Sequence, residues 1–149
     1  MQRKIIAAIA ALTATLSFTA LAQTTPEDAM GYRISVMTAL RGHIGAASMI
    51  ARGLVENDGY LLGHAQGLNS AASELHRVFP EGSNIGESEA LPVIWEDSEG
   101  FAAAIAKMQE ATSAFVEAAE GGDAEAIGAA FRNVGMSCRG CHDNYRVPQ

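Results

Sequence analysis

The chain has 149 residues, 48% of them hydrophobic, and its 17 acidic and 10 basic residues give a formal net charge of −7. This length suits a single domain with one buried core. The acidic balance argues against nucleic acid or anionic lipid as partners.

The first 22 residues are predicted to be a secretory signal peptide. Arg3 and Lys4 precede an almost unbroken apolar run over residues 5–21, which ends in the small-x-small pattern Ala20-Leu21-Ala22. The run is marginal in length for an uncleaved membrane anchor, and the cleavage pattern favours its removal. We therefore expect cleavage after Ala22 and export.

Residues 23–149 are predicted to form the mature protein, as one domain. It keeps 8 basic and 17 acidic residues, a formal charge of −9. No second apolar run is expected to reach membrane-spanning length, so the mature protein is predicted to be soluble, without membrane insertion. Its acidity would serve solubility and would also steer it toward a basic partner protein.

The first predicted helix opens at Thr25-Pro26-Glu27-Asp28 and closes near Gly53. Threonine is a good cap, proline suits the first helical position, and acidic residues favour the first turn. Its inward positions step by three and four residues. They are Met30, Arg33, Met37, Leu40, Ile44, Ala47, Ala51 and Leu54.

Arg33 is the one charged residue in that stripe. A buried guanidinium is costly without an anionic partner, so a bound anionic group or a carboxylate such as Glu27 is expected nearby. The alternative is that the side chain reaches the edge of the bundle. Met37 lies one helical turn from Arg33 and is expected to face the same way.

A second helix is predicted from about Gly59 to Phe79. Its inward positions are Leu61, Ala65, Leu68, Ala72, Leu75 and Phe79. His64 and His76 lie beside this stripe, and His43 lies beside Ile44 on the first helix. Histidines in such flanking positions are more often edge or surface residues than metal ligands.

A loop follows over residues 80–91, rich in Gly, Ser, Glu and Asn. Trp95 is predicted to be a packing anchor at the start of the third helix, which Gly121-Gly122 ends. The inward positions of the third helix are Phe101, Ile105, Met108, Thr112, Phe115 and Ala119.

Asp123 is predicted to cap the last helix. Its apolar positions are Ile127, Phe131, Val134, Cys138, Cys141 and Tyr145. The only two cysteines of the chain therefore lie about one turn apart on the inner face of a helix.

The five residues Cys138-Arg139-Gly140-Cys141-His142 match the motif that attaches a c-type haem. Each thiol adds to one haem vinyl group, and the adjacent imidazole becomes an axial ligand of the iron. Export fits this chemistry, because bacteria attach c-type haem outside the cytoplasm. The motif predicts one haem c per chain.

Three other interpretations of the motif remain open. A thioredoxin-like dithiol normally ends a strand in a βαβ pattern, which this chain lacks. A zinc site would need a fourth ligand from among His43, His64 and His76, none of which has a convincing spacing. A disulfide across two residues closes too small a loop to add much stability.

Four amphipathic helices around one cofactor predict an all-α, antiparallel four-helix bundle with a covalently bound haem. Tyr145 and Arg146 complete the turn after the motif. Tyr145 is expected to pack against the porphyrin edge, and Arg146 to approach the haem or its histidine ligand.

The chain resembles the class II cytochromes c, the family of cytochrome c′ and cytochromes c-556 and c-554. The likeness covers nearly all of residues 23–149 and rests on three segments. They are Tyr32-Arg33, Leu91-Pro92-Val93-Ile94-Trp95, and Cys138-x-x-Cys141-His142-x-x-Tyr145-Arg146. The resemblance implies a left-twisted four-helix bundle, with His142 as proximal iron ligand and Arg33 and Arg146 as the two recurrent arginines.

Met37 stands four residues after the first arginine, at the family's distal position. A bulky apolar residue there accompanies five-coordinate, high-spin iron, whereas methionine accompanies low-spin iron in electron-transfer members. A thioether is a suitable soft ligand. The first hypothesis is therefore a periplasmic electron carrier with His142 and Met37 as ligands. The alternative is a five-coordinate cytochrome c′ that binds or senses nitric oxide or carbon monoxide.

No catalytic residues are predicted, and the protein is not expected to be an enzyme. Its expected partners are redox proteins. The resemblance also implies pairing of two copies through the first two helices, for which Gly45, Ala46 and Ala47 would permit close contact, although the same residues would suit inward packing.

Overall fold

The computed structural model describes residues 24–149; the predicted signal peptide and its cleavage site lie outside the described residues. Over the described part the chain is helical, apart from loops and one isolated bridge between Ala90 and Arg146. The elements are α1 (Pro26–Ala51), α2 (Tyr60–Ser73), a 3-10 turn (Leu75–Arg77), α3 (Val93–Glu96), α4 (Ser98–Gly121) and α5 (Ala124–Tyr145).

Thr25, Gly122 and Asp123 bound their helices as predicted, whereas the cap at Asp97 was not predicted. Thr25, Asp97 and Asp123 cap α1, α4 and α5, each accepting from the backbone N–H three residues on, at 3.1, 3.1 and 2.8 Å. Such caps satisfy otherwise unpaired helix donors. Gly122 adopts the left-handed conformation that ends α4, with φ of 72°.

The four long helices pack in the order α1, α2, α4, α5. Extensive contact joins α1 to α2, α2 to α4 and α4 to α5, whereas α1 meets α5 only sparsely. Phe115, Leu68 and Val134 are completely buried at the centre. The predicted all-α four-helix bundle is confirmed, and its one loosely packed side lies between the first and last helices.

Two predicted helix boundaries are wrong. The second helix ends at Ser73 rather than Phe79, and the chain tightens into the 3-10 turn. There the backbone changes to hydrogen bonds between residues three apart, from Glu74 N to the Ala71 carbonyl at 3.3 Å and from Arg77 N to the Glu74 carbonyl at 3.0 Å. The third helix is interrupted at Asp97, whose φ of −116° and ψ of 64° are not helical, so that its carboxylate can cap α4.

The inner stripe of α1 is only partly enclosed. Ala47 is fully buried, but Met30, Met37 and Ile44 are half-buried. Leu54, predicted to be inward, is 61% exposed because α1 ends three residues earlier. The stripe of α1 thus faces a space rather than a packed neighbour over much of its length.

The helix α1 is also long and apolar enough to cross a membrane by length and composition alone. The expectation that no second apolar run reaches this length is therefore wrong. In the bundle, α1 packs along α2 and buries Arg33.

Replacing Leu68 with Ala should lower the free energy of unfolding by about 2–5 kcal/mol, because it truncates a completely buried side chain. Urea denaturation followed by far-UV circular dichroism measures the change. Leu54→Ala is the matched control and should change stability by less than about 0.5 kcal/mol. Equal losses in the two variants would contradict the assignment of the core.

Candidate haem-binding site

A cavity of about 710 Å³ lies between α1 and α5. Arg33 and Met37 line it from α1, and both cysteines and His142 line it from α5. Arg146, directly after α5, lies in the same wall. The fold thus gathers all six residues singled out in the sequence around one space. Much of the remaining lining is apolar, including Leu68, Leu75, Phe79, Ile94, Phe101 and Ile105.

The two cysteines are half-buried free thiols. Burial raises the pKa of both thiols, and the charge of Cys138 raises that of Cys141 further. A redox dithiol instead needs a lowered pKa to form the attacking thiolate. The Cys138 thiol donates to the sulfur of Met108 at 3.8 Å, which ties it to α4. These features do not favour the thioredoxin-like interpretation.

The imidazole of His142 is exposed and borders the cavity. Burial of part of the ring lowers its pKa, and the positive charge of Arg146 lowers it further, against the opposing effects of Asp143 and Glu89. The neutral imidazole favoured in this setting is the form that binds metals.

Arg33 is buried, with only 5% of its surface exposed. Its guanidinium donates to Ser83 Oγ at 2.8 Å, to the Ser83 carbonyl at 2.9 Å and to Ser88 Oγ at 3.0 Å. It also lies 5.1 Å from the centre of the Phe79 ring. Burial lowers its pKa, although arginine remains charged.

Within residues 24–149, Arg33 forms no ion pair, so the suggested pairing with Glu27 is not observed. Only neutral acceptors hold the guanidinium, and its charge remains unbalanced beside the cavity. The sequence did not identify Ser83 and Ser88 as its partners. The serine-rich composition of the loop was the only signal, and it does not say which hydroxyl reaches α1.

Arg146 is held by a partner that the sequence did not identify. Its Nε lies 3.2 Å from Glu89 Oε2. Two backbone hydrogen bonds flank this ion pair, from Leu91 N to the Tyr145 carbonyl at 3.0 Å and from Val147 N to the Glu89 carbonyl at 2.8 Å. The loop before α3 is therefore fastened to the end of α5, beside the haem motif.

Aromatic rings connect the two sides of the site. The ring of Tyr145 meets Phe101 edge-on with centroids 5.0 Å apart, and Phe101 meets Phe79 in the same way at 4.9 Å. The Tyr145 hydroxyl donates to Asp97 Oδ2 at 3.4 Å. Tyr145 lines the cavity, so packing against a bound porphyrin remains compatible with these contacts.

The other three histidines lie away from the cavity lining. His76 is exposed, and its Nδ1 lies 2.9 Å from the Ser73 carbonyl; His43 and His64 contact each other across α1 and α2. The described residues contain no cluster of three or more His, Cys, Asp or Glu side chains suited to a metal. The zinc interpretation therefore lacks a ligand set there.

The residues of the cavity fit a covalently bound haem. A volume of about 710 Å³ is within the range of about 300–1,000 Å³ typical of cofactor pockets. Two free thiols and an imidazole stand in one wall, apolar side chains suit a porphyrin, and Arg33 offers an unbalanced charge to an acidic substituent. The fold and site define a four-helix-bundle haem protein of the c type.

Residues 28–146 match the model of the cytochrome C′ family, and the chain belongs to that family. It is 34% identical to cytochrome c′ of Rhodospirillum rubrum over 96% of both chains. It is 38% identical to cytochrome c-554 of Cereibacter sphaeroides, over 76% of this chain and 89% of that one. The resemblance found in the sequence is confirmed, and with it one covalent haem c per chain.

Solved structures agree with this assignment. The nitric oxide complex of a mutant cytochrome c prime from Alcaligenes xylosoxidans aligns with a TM-score of 0.76 and 31% identity, over 83% of this chain and 97% of that one. A carbon-monoxide-bound variant from the same organism aligns with a TM-score of 0.77 and 30% identity, over 83% and 98%.

Replacing Ser83 with Ala should lower the free energy of unfolding by about 1.5–3 kcal/mol, the range for a hydrogen bond to a charged group. Thermal and urea denaturation measure the loss. Ser73→Ala removes an exposed hydroxyl bonded within its own helix and should have little effect. Equal stability of the two variants would show that the contact to Arg33 contributes nothing.

Proposed function

We propose that Cys138 and Cys141 carry the haem through two thioether bonds and that His142 is its proximal iron ligand. The supporting observation is that both free thiols and the imidazole line one cavity from the last turns of α5. The bound haem would supply one-electron redox change and a ligand-binding iron. The chain would supply attachment, orientation and shielding from water.

We further propose that the protein is a periplasmic cytochrome c′ that binds nitric oxide or carbon monoxide. Two similar solved proteins are described with these gases bound, so the comparisons favour this alternative over the electron carrier expected first. No catalytic residues are assigned.

An electron carrier with His142 and Met37 as ligands is the second candidate. Met37 lines the cavity from α1, opposite the helix that carries His142, and a relative named cytochrome c-554 is 38% identical to this chain over 119 residues. Methionine is also an ordinary core residue, so its position alone does not make it a ligand.

Arg33 would balance a haem propionate. Its buried guanidinium has only neutral acceptors from Ser83 and Ser88, and a nearby anion would offset the cost of burying the charge. Arg146 would act beside His142, where its charge already lowers the pKa of the imidazole. Glu89 would keep Arg146 in that position through their ion pair.

Redox proteins remain the proposed partners, with the mature protein free of the membrane after export. A pair of copies joined through α1 and α2 would have to use surface other than Ala47, which is completely buried. Gly45 is exposed and Ala46 is half-buried, so these two positions remain available for a close helix contact.

Absorption spectra of the haem-loaded protein test the proposed function. We expect a broad high-spin spectrum and a shift of the main band when carbon monoxide is added to the ferrous protein. A sharp α band, together with a weak methionine-to-iron charge-transfer band in the ferric state, would contradict gas binding at an open site and support the carrier.

The variant Met37→Leu separates the two candidates further. If the iron is five-coordinate, the variant should keep the wild-type spectrum, as should Met49→Leu, which changes an exposed methionine on the same helix. Conversion from low-spin to high-spin iron in Met37→Leu alone would identify Met37 as the distal ligand.

Replacing both Cys138 and Cys141 with Ala should abolish covalent haem, because no other cysteine is present in the chain. Mass spectrometry under denaturing conditions, after expression in cells competent for cytochrome maturation, measures the bound mass. Wild-type protein without added mass would contradict the assignment of the attachment site.

A further inference from the structure

Two histidines outside the haem site connect α1 to α2. The Nδ1 atoms of His43 on α1 and His64 on α2 are 3.2 Å apart, and both side chains are half-buried. Neither residue lines the cavity. The contact is therefore a feature of the helix interface rather than part of the site described above.

The geometry of the two rings identifies the contact as a hydrogen bond. Their centres are 5.5 Å apart with planes inclined by 60°, while the Nδ1 atoms are 3.2 Å apart. The two nitrogens therefore lie close to the line that joins the ring centres, and each points at the other. Ligands of a shared metal ion would instead direct both lone pairs to a point beside that line. One Nδ1 donates and the other accepts, so the accepting imidazole must be neutral.

Gly67 on α2 makes room for the His43 ring. A Cβ at this position would lie 2.4 Å from Cε1 and 2.5 Å from Nε2 of His43. Glycine is a poor helix former, yet here any larger residue would displace the ring. The His43 ring thus lies between its own helix and the backbone of α2 at Gly67, where no side chain intervenes.

The two helices that carry the pair offer no carboxylate to stabilise a second positive charge. Between Tyr60 and Ser73, α2 has no Asp, Glu, Lys or Arg, and α1 has no acidic residue after Asp28. Arg41, the charged residue nearest to His43 in sequence, lines the cavity. The resolved ion pairs of residues 24–149 involve neither histidine.

The charged residues of the neighbouring segments are exposed. Where α4 packs on α2, its hydrogen bonds come from the neutral residues Gln109 and Thr112. The charged residues of α4 beyond its first turn are exposed, and they are Lys107, Glu110, Glu117 and Glu120. The acidic residues Glu56 and Asp58 lie in the connection between α1 and α2, beyond the end of α1, and both are exposed. A second proton on the pair would therefore meet mainly the charge of the first.

We propose that His43 and His64 form a pH-sensitive joint between α1 and α2, bonded while one imidazole is neutral and repulsive when both are protonated. The hydrogen bond between the two Nδ1 atoms needs a lone pair on the accepting nitrogen, and a second proton on the pair would remove it. The stability contributed by the joint is thus present at neutral and higher pH and is lost as the pH falls. The proposal does not depend on the function proposed for the haem.

Urea denaturation of the haem-loaded protein at pH 8 and pH 5, with EDTA in all samples, tests the joint. Acidification should reduce the folding equilibrium constant of the wild type by about tenfold more than that of His64→Gln, the size of one net hydrogen bond. The control His76→Gln, which changes an exposed histidine, should follow the wild type. Equal pH dependence of wild type and His64→Gln would overturn the proposal.

Two further comparisons guard against variants that simply fold poorly. In a double-mutant cycle of His43→Gln and His64→Gln, the coupling should be favourable at pH 8 and absent or unfavourable at pH 5. Gly67→Ala keeps both histidines but displaces the His43 ring, so it should also lose the extra acid sensitivity. A coupling of the same size at both pH values would identify an ordinary packing contact and overturn the joint.

Discussion

The structure depends on one constraint: α1 must stay attached to the bundle while remaining apart from α5. Three of the four long-helix interfaces are closed by direct packing, and the fourth is a cavity. A close-packed core normally stabilises such a bundle on every side. Here the apolar stripe of α1 is only partly covered by protein, which is the arrangement expected when a flat apolar group completes the core.

The loop between the 3-10 turn and α3 maintains this spacing. Ser83 and Ser88 hold Arg33 of α1, and Glu89 holds Arg146 at the end of α5. One loop thus fastens both walls of the cavity from the same end. The loop is long for a structureless connection, and it makes both attachments.

The two walls of the cavity differ in the charge that their arginines leave unpaired. The cation on the α1 side is buried with only neutral partners, whereas Arg146 on the α5 side is paired with a carboxylate. The unpaired charge is the one that a bound anionic substituent would stabilise most. The lowered pKa of His142 and the raised pKa values of the cysteine thiols belong to the same partly buried environment.

Local sequence determined the elements and the chemistry. Caps at Thr25 and Asp123, the glycine after α4 and the 3.6-residue periodicity predicted the bundle because these signals act over a few residues. The Cys-x-x-Cys-His motif predicted the cofactor for the same reason, because the chemistry of haem attachment requires the two thiols and the imidazole at a fixed spacing within five consecutive residues. The prediction was wrong at the end of α2 and at the break at Asp97. At both positions an adjoining loop, and not helix propensity, sets the helix boundary.

Tertiary structure alone decided which groups meet across the bundle. Nothing near Arg33 in sequence indicates that its partners are 50 and 55 residues away, and the same is true of Glu89 with Arg146 and of His43 with His64. The sequence by itself determined which helices form and which residues are able to bind haem. Only packing determined their partners, because contacts between distant residues depend on how the helices are arranged and leave no periodic pattern in the chain.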